Sequence, residues 1–169
     1  PVLLTIRAAR EGGTWRGTAA ARRELYRQAL PWVSAVDVEI RSPLFTALAR
    51  EVRAARKTLV GSFHDFTGTP APARLREVIR IGRRGGAHIV KVAATVRRPD
   101  DVITLFELLR LRRAGPLCLI GMGPQGLHTR VSLAGAGSCL VYGALDAPSA
   151  PGQMDCRELD ALLARLGIR

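Results

Sequence analysis

The sequence predicts an α/β fold of the TIM (β/α)8 barrel type, short of its first two βα units. Three observations carry this. Short apolar runs alternate with helical stretches, and successive runs start roughly 20–35 residues apart, the spacing of βα units. Polar residues gather at the C-terminal ends of nearly all the runs: Arg7 and Glu11, Glu39, His64, Lys91, then Arg130 and Gln153 in later loops. Continuous apolar strands alternating with helices form parallel sheets covered on both faces. A barrel collects its strand ends around one mouth, whereas a doubly wound sheet collects them mainly at its switch point. Polar ends on so many runs favour the barrel. About six units are readable, against the eight units and ~250 residues of a complete barrel.

In chain order the expected strands are Val2–Arg7, Ala35–Ile40, Thr58–Phe63, Ile89–Ala93, Leu117–Met122 and Cys139–Tyr142. Helical patterns fall around 18–30, 44–55, 72–84, 99–113, 126–134 and 155–166. Leu105, Leu108, Leu109 and Arg112 keep the i, i+3, i+4 spacing of a helix with one apolar face. Asp155 precedes the last helix as its expected N-cap, with Glu158 three residues on. The 169 residues suit one domain with a real core, and no linker or low-complexity segment interrupts them. Pro1 begins inside an apolar run without an initiator methionine, which reads as the interior of a longer polypeptide.

No stretch approaches the ~20 apolar residues of a membrane span, and no basic-then-apolar leader opens the chain. Cys118, Cys139 and Cys156 are widely spaced and lack a Cys-x-x-Cys pair, so they read as reduced thiols of a cytoplasmic protein. The net charge of +12 suits either nucleic acid or small anions. Scattered arginines and few aromatic residues argue against nucleic acid.

Among 26 basic residues the chain has two lysines, Lys57 and Lys91. Lys57 follows Arg56 ahead of an apolar run and reads as a solvated charge. Lys91 sits within Ala87-His88-Ile89-Val90-Lys91-Val92-Ala93-Ala94, a buried strand by pattern. Arginine does not lose its proton in a protein, whereas a desolvated lysine can become a neutral nucleophile. Lys91 therefore marks either imine chemistry or a side chain snorkelling from a strand end.

His64 stands where the run Ser62-Phe63-His64-Asp65-Phe66 gives way to Gly68, Pro70 and Pro72, a position suited to a general acid–base or to a plain loop histidine. Its two aromatic neighbours are expected to hold its pKa near or below the ordinary value. Strand alternation places His88 on the face opposite Lys91, a structural position, and His128 lies in a loop. These three histidines are too far apart in sequence to signal a metal. Gly121-Met122-Gly123-Pro124-Gln125-Gly126 matches G-x-G-x-x-G after a strand, with Asp146 twenty residues beyond. A nucleotide-binding α/β domain built on Gly121–Gly126 is the alternative reading. The short, glycine-rich segment that follows makes a poor pyrophosphate-binding helix, and the fingerprint normally opens the first βα turn. The loop from Ala147 to Gln153 is stiffened by Pro148, Pro151 and Gly152, and Ser149 and Gln153 could bond a polyhydroxylated ligand.

Read together, Thr5-Ile6-Arg7 with Glu11-Gly12-Gly13, Asp37-Val38-Glu39, Ser62-Phe63-His64-Asp65-Phe66 with Thr69-Pro70, Lys91-Val92-Ala93, Met122-Gly123 with Thr129-Arg130, and Ala150-Pro151-Gly152-Gln153 resemble type I 3-dehydroquinate dehydratase over nearly the whole chain. The resemblance implies a single barrel domain over residues 1–169, N-terminally incomplete. It also implies dehydration of 3-dehydroquinate to 3-dehydroshikimate in aromatic biosynthesis, with no metal or diffusible cofactor. Lys91 matches the Schiff-base lysine, His64 the general acid–base and Glu11 the glutamate that orients it. Arg130 matches the arginine holding the substrate carboxylate, and Arg7, Ser149 and Gln153 match further substrate contacts. The implied partner is a small anionic substrate, with a homodimer or a fusion to another shikimate-pathway enzyme compatible with the sequence. The family's first strand carries a Glu-x-Arg pair that this chain does not contain. Glu39-Ile40-Arg41 has the same spacing but aligns with a later segment, so that role is not transferred to it. Thr129 stands in place of a usual serine. A noncatalytic relative of the dehydratase remains the second alternative.

Overall fold

The computed structural model describes residues 1–147 and 153–168. Five strands, β1 (Leu3–Thr5), β2 (Ala35–Glu39), β3 (Thr58–Asp65), β4 (Ile89–Thr95) and β5 (Leu117–Met122), form one parallel sheet in strict chain order. That order contains no reversal, so the sheet has no switch point. It is the singly wound order of a barrel rather than that of a doubly wound sheet. Helices α1 (Ala19–Ala29), α2 (Phe45–Ala54), α3 (Pro72–Arg84) and α4 (Pro99–Leu109) are the crossovers between strands, and α5 (Thr129–Gly135) and α6 (Cys156–Arg165) follow β5.

Residues Pro1–His64 with Ala73–Lys91 make one compact unit, and Asp65–Pro72 with Val92–Arg169 make another. In the first, β1 pairs with β2 with Thr5 opposite Asp37, and β2 pairs with β3 with Asp37 opposite Val60 and Glu39 opposite Ser62. Alternation along β2 sends Val36 and Val38 to one face and Asp37 and Glu39 to the other, and all four are buried. Helix α2 buries Phe45, Leu48, Ala49 and Val52, an i, i+3, i+4, i+7 stripe that packs as an amphipathic helix must. Helix α1 opens on Thr18, whose side chain accepts from the Ala21 N–H at 3.1 Å. It also carries Tyr26, a fully buried side chain that ties β1 to β2. The Tyr26 hydroxyl accepts from the Ile6 N–H at 3.0 Å and donates to the Asp37 carbonyl at 2.7 Å. Burial pushes its pKa up to about 12, so it stays a donor. His88 has the expected structural role, its Nδ1 accepting from the Leu59 N–H at 2.9 Å.

In the second unit, Leu105, Leu108 and Leu109 of α4 are buried, as their spacing predicts. Asp101 accepts from the N–H groups of Arg97 and Arg98 at 2.8 and 3.2 Å at the head of that helix. Every residue of β5 is buried, the signature of a strand covered on both faces. Asp155 caps α6 as expected, accepting from the Arg157 and Glu158 N–H groups.

The expected sixth strand, Cys139–Tyr142, is not a strand. Its Cys139 N–H donates to the Leu117 carbonyl of β5 at 2.9 Å. Two later carbonyls, of Leu140 and Tyr142, accept from the Cys118 thiol and the Arg130 guanidinium. Side chains thus take acceptors that a ladder would have used.

The Gly121-x-Gly123-x-x-Gly126 pattern turns out to be a packing device. A Cβ on Gly126 would lie 2.5 Å from the Gly121 carbonyl carbon, and a Cβ on Gly121 would lie 2.7 Å from Thr129 Oγ1. Thr129 Oγ1 fills the gap, accepting from the Gly121 N–H at 2.9 Å and donating to the Gly126 carbonyl at 2.5 Å. Gly123 has φ of 81°, and the helix after the turn spans seven residues. Gly121 and Gly126 crowd each other, and their backbone donors are occupied from within, by Thr129 Oγ1 and the Gly123 carbonyl.

Gly126→Ala is expected to destabilise the chain by about 1–3 kcal/mol through overpacking against rigid backbone. Thr129→Val should cost a similar ~1–3 kcal/mol by orphaning the Gly121 N–H, whereas Thr129→Ser should keep most of the stability. Urea midpoints at unchanged slope check all three.

Candidate active site

The polar face of the first unit is a buried cluster of charges. Alternation and register bring Asp37 and Glu39 of β2, Ser62 and His64 of β3, and Arg7 just past β1 to the same side of the sheet. Lys91 joins them from β4. Its Nζ lies 3.3 Å from Asp37 Oδ2, and its side chain is 9% exposed. Arg7 closes the other side, with Nη2 2.7 Å from Asp37 Oδ1 and Nη1 2.6 Å from Ser62 Oγ. Ser62 Oγ in turn donates to Asp37 Oδ1 at 2.5 Å. Asp37 is fully buried, so these three partners replace its lost hydration.

Beside this cluster stands a histidine–carboxylate pair. His64 Nδ1 is 3.1 Å from Glu11 Oε2, and the Glu11 side chain is 1% exposed. A carboxylate partner assigns the ring proton to Nδ1, which leaves the lone pair on Nε2 as the base. Glu11 is placed by a short 3-10 turn (Ala9–Glu11) that ends at Gly12 with φ of 80°. Glu39 holds that turn from below: its Oε1 accepts from the Ala8 N–H at 2.9 Å, and its carboxylate is salt-bridged to buried Arg22 of α1.

The electrostatics follow from burial and from these neighbours. Burial pushes Asp37 upward, but Lys91 and Arg7 together with the Ser62 bond outweigh it and leave Asp37 below the ordinary carboxylate value. Burial lowers His64, and the Arg7 and Lys91 charges lower it further. The Glu11 bond and Asp37 pull the other way, and the net direction is down. The direction is the one expected from the sequence, and nearby cations contribute to it as well as desolvation. Burial would lower Arg7, but Asp37 and Glu39 more than compensate, so its guanidinium is held above its ordinary value.

Four of the seven site residues expected from the sequence, Lys91, His64, Glu11 and Arg7, thus occupy one face of this unit. Arg130 and Gln153 belong to the second unit. There Arg130 is buried, its Nη1 donates to the Tyr142 carbonyl at 3.1 Å, and burial lowers its pKa. Gln153 is half-buried, and Ser149 lies outside the described residues. Sequence reasoning gave no role to Asp37, Glu39, Arg22, Ser62 or Arg41. The available signal was the pair of carboxylates two apart in an otherwise apolar strand, which places both on one buried face. Among the described residues no group of three His, Cys, Asp or Glu is placed to hold a metal ion, and no helix is long and apolar enough to cross a membrane. A buried amine, an oriented histidine and fixed cations can together support covalent chemistry at a carbonyl followed by proton transfer.

Comparison with known proteins gives the same direction. The family model for type I 3-dehydroquinase matches residues 1–169. The 3-dehydroquinate dehydratase of Methanothrix thermoacetophila is 37% identical over 169 residues, covering 100% of this chain and 72% of the relative. The crystal structure of 3-dehydroquinate dehydratase from Geobacillus kaustophilus superposes with a TM-score of 0.92 at 32% identity, covering 99% of this chain and 68% of that one. A dehydroquinate dehydratase and shikimate dehydrogenase from S. pombe shares the fold, with a TM-score of 0.79 at 23% identity, and this chain covers 33% of it. Matched along its full length by the family model, and by an enzyme at more than a third identity, the chain belongs to the type I 3-dehydroquinase family of enzymes.

Proposed function

We propose that this chain dehydrates 3-dehydroquinate to 3-dehydroshikimate through an imine on Lys91, with His64 as the general acid–base. Family membership supports the dehydratase activity. The observation that favours the imine is the buried Lys91 amine, held 3.3 Å from Asp37 on the same polar face as the His64–Glu11 pair. Lys91 Nζ, as the free amine, attacks the ring ketone, and loss of water gives an iminium. The iminium draws electrons from the adjacent carbon, so that His64 Nε2 can take its proton. The resulting enamine expels the hydroxyl as His64 returns the proton to it, and hydrolysis of the product imine frees Lys91. Glu11 orients the ring and compensates its positive charge while the proton is in transit. Arg7, Arg130, Ser149 and Gln153 are the proposed substrate contacts, with Arg130 for the carboxylate, and residues 1–169 act as one catalytic domain. The partner is the anionic substrate. Self-association is read by sedimentation, and a fused pathway enzyme, as in the S. pombe protein, by the length of the natural chain.

Incubation with 3-dehydroquinate and borohydride should add a ligand-sized mass to the intact chain, and Lys91→Met should abolish the gain. No adduct on a folded native chain would sink the imine. His64→Ala should lower kcat by roughly 10²–10⁴-fold while leaving adduct formation detectable. Substitution of Arg7, Arg130, Ser149 or Gln153 should raise KM more than it lowers kcat.

The pH dependence has a definite sign. His64 must be neutral to accept the proton, and its pKa is lowered. The acid limb of kcat/KM should therefore have its half-point below the ordinary ~6.5 of histidine. The Glu11 bond raises His64, so Glu11→Gln should move that limb to still lower pH and reduce the rate by about 10²-fold. A limb that moved upward in Glu11→Gln would contradict the pairing.

A further inference from the structure

The Glu39-Ile40-Arg41 segment has no part in the dehydration as drawn, yet it touches the acid–base pair from behind. Arg41 Nε donates to Glu11 Oε1 at 3.2 Å, while the other oxygen of Glu11 is bonded to His64. Arg41 Nη2 donates to the His64 backbone carbonyl at 3.2 Å. The guanidinium carbon sits 4.5 Å from the ring centroid of Phe63, the residue just before His64. In return the Arg41 carbonyl accepts from Arg10 Nη2 at 3.4 Å. Two residues earlier, Glu39 accepts the Ala8 N–H. The segment from Ala8 to Glu11 is thus pinned to the end of β2 at both of its ends.

We propose that Arg41 is a positioning residue of the Glu11–His64 pair, fixing the carboxylate against the imidazole and sharing its negative charge. The proposal rests on the reading of His64 as the acid–base.

The physical argument concerns how strongly Glu11 holds a proton on the imidazole. A carboxylate devoted to His64 alone would stabilise the imidazolium and make it a poor donor to the departing hydroxyl. With one oxygen committed to a guanidinium, less of that charge is available, and the imidazole can return a proton as well as take one. Arginine suits the task because its fork reaches the carboxylate and the His64 carbonyl together and its flat face rests on Phe63. Other charged groups also face His64: Arg7 and Glu11 from the segment after β1, Asp37 from β2 and Lys91 from β4. Arg41 differs from them in bonding the carboxylate and the backbone of the pair while half of its own side chain, 46%, remains exposed. Solvent screening therefore keeps the effect modest.

The test is a proton NMR titration of the His64 ring in the full chain, assigned with His88→Gln and His128→Gln. Arg41→Gln is expected to raise the His64 midpoint by roughly half a pH unit, and Arg41→Lys by less because the charge is kept. In a Glu11→Gln background most of the Arg41→Gln effect should vanish. An unmoved midpoint in folded Arg41→Gln would overturn the proposal. So would an undiminished shift in the Glu11→Gln background, which would make Arg41 a bare charge. Should Arg41→Gln fail to fold, Arg41→Lys with and without Glu11→Gln decides the same question. The acid limb of kcat/KM should follow the NMR midpoint. A shifted midpoint in a chain without dehydratase activity would support the Arg41 role while counting against the dehydratase reading.

Discussion

Asp37 is a carboxylate with no access to water, and the geometry of the polar face of the first unit follows from what must surround it. An isolated charge in that position would cost several kcal/mol, so its partners are obligatory. Lys91, Arg7 and Ser62 supply them from three different chain segments. Each of those side chains is thereby fixed in direction by a fourth residue that does not itself take part in the proposed reaction. The same logic extends outward. Glu39 is buried against Arg22, and Glu11 lies between His64 and Arg41. Cations and carboxylates alternate through the cluster.

Buried ion pairs are poor stabilisers compared with apolar packing. The stability of this unit has to come from the opposite face of the same strands. Val36 and Val38, one residue away from Asp37 and Glu39, are fully buried, as are Leu48 and Val52 of α2 and Leu59 and Phe63 of β3. Burial of each such side chain is worth about 1.5–3 kcal/mol. Strand β2 therefore does two jobs with one alternation, packing on its even positions and electrostatics on its odd ones. Tyr26 links the two faces. It packs as an aromatic residue and spends its hydroxyl on the backbone of Ile6, just past β1, and of Asp37 in β2.

Much of this was legible in the sequence because periodicity is local. The stripe of α4, the cap at Asp155 and the strand Leu117–Met122 follow from spacing alone. Lys91 stood out by contrast with a chain that otherwise uses arginine. His64, Glu11 and Arg7 needed the resemblance, since nothing in their local pattern separates them from loop residues. Asp37 and Glu39 were visible as an i, i+2 pair in an apolar strand, but their meaning depends on register with Ser62 and Arg7, which no single segment encodes. Arg41 was hidden for the same reason. Cys139–Tyr142 shows the converse limit: an apolar, β-prone run becomes a strand only if a neighbour offers a ladder. Here Cys118 and Arg130 take up its carbonyls instead. The glycine pattern at Gly121–Gly126 misleads because the same lack of a Cβ serves phosphate binding and tight packing alike.

Under the proposed reaction the distribution of arginine and lysine has a chemical reason. Arg7, Arg22 and Arg41 hold carboxylates in fixed orientation, and a guanidinium does so without ever giving up its proton. Imine formation asks the opposite of its residue: a nitrogen that sheds a proton, attacks carbon and is later released. Placing one lysine among permanent cations assigns the two properties to different side chains. Replacing Lys91 with arginine would keep the charge opposite Asp37 and remove the nucleophile, whereas replacing Arg7 with lysine would add a second amine and lose the fork that joins Asp37 to Ser62. Under the proposed reaction the cluster is a frame of fixed side chains around Lys91 and His64, the two groups whose protons that reaction moves.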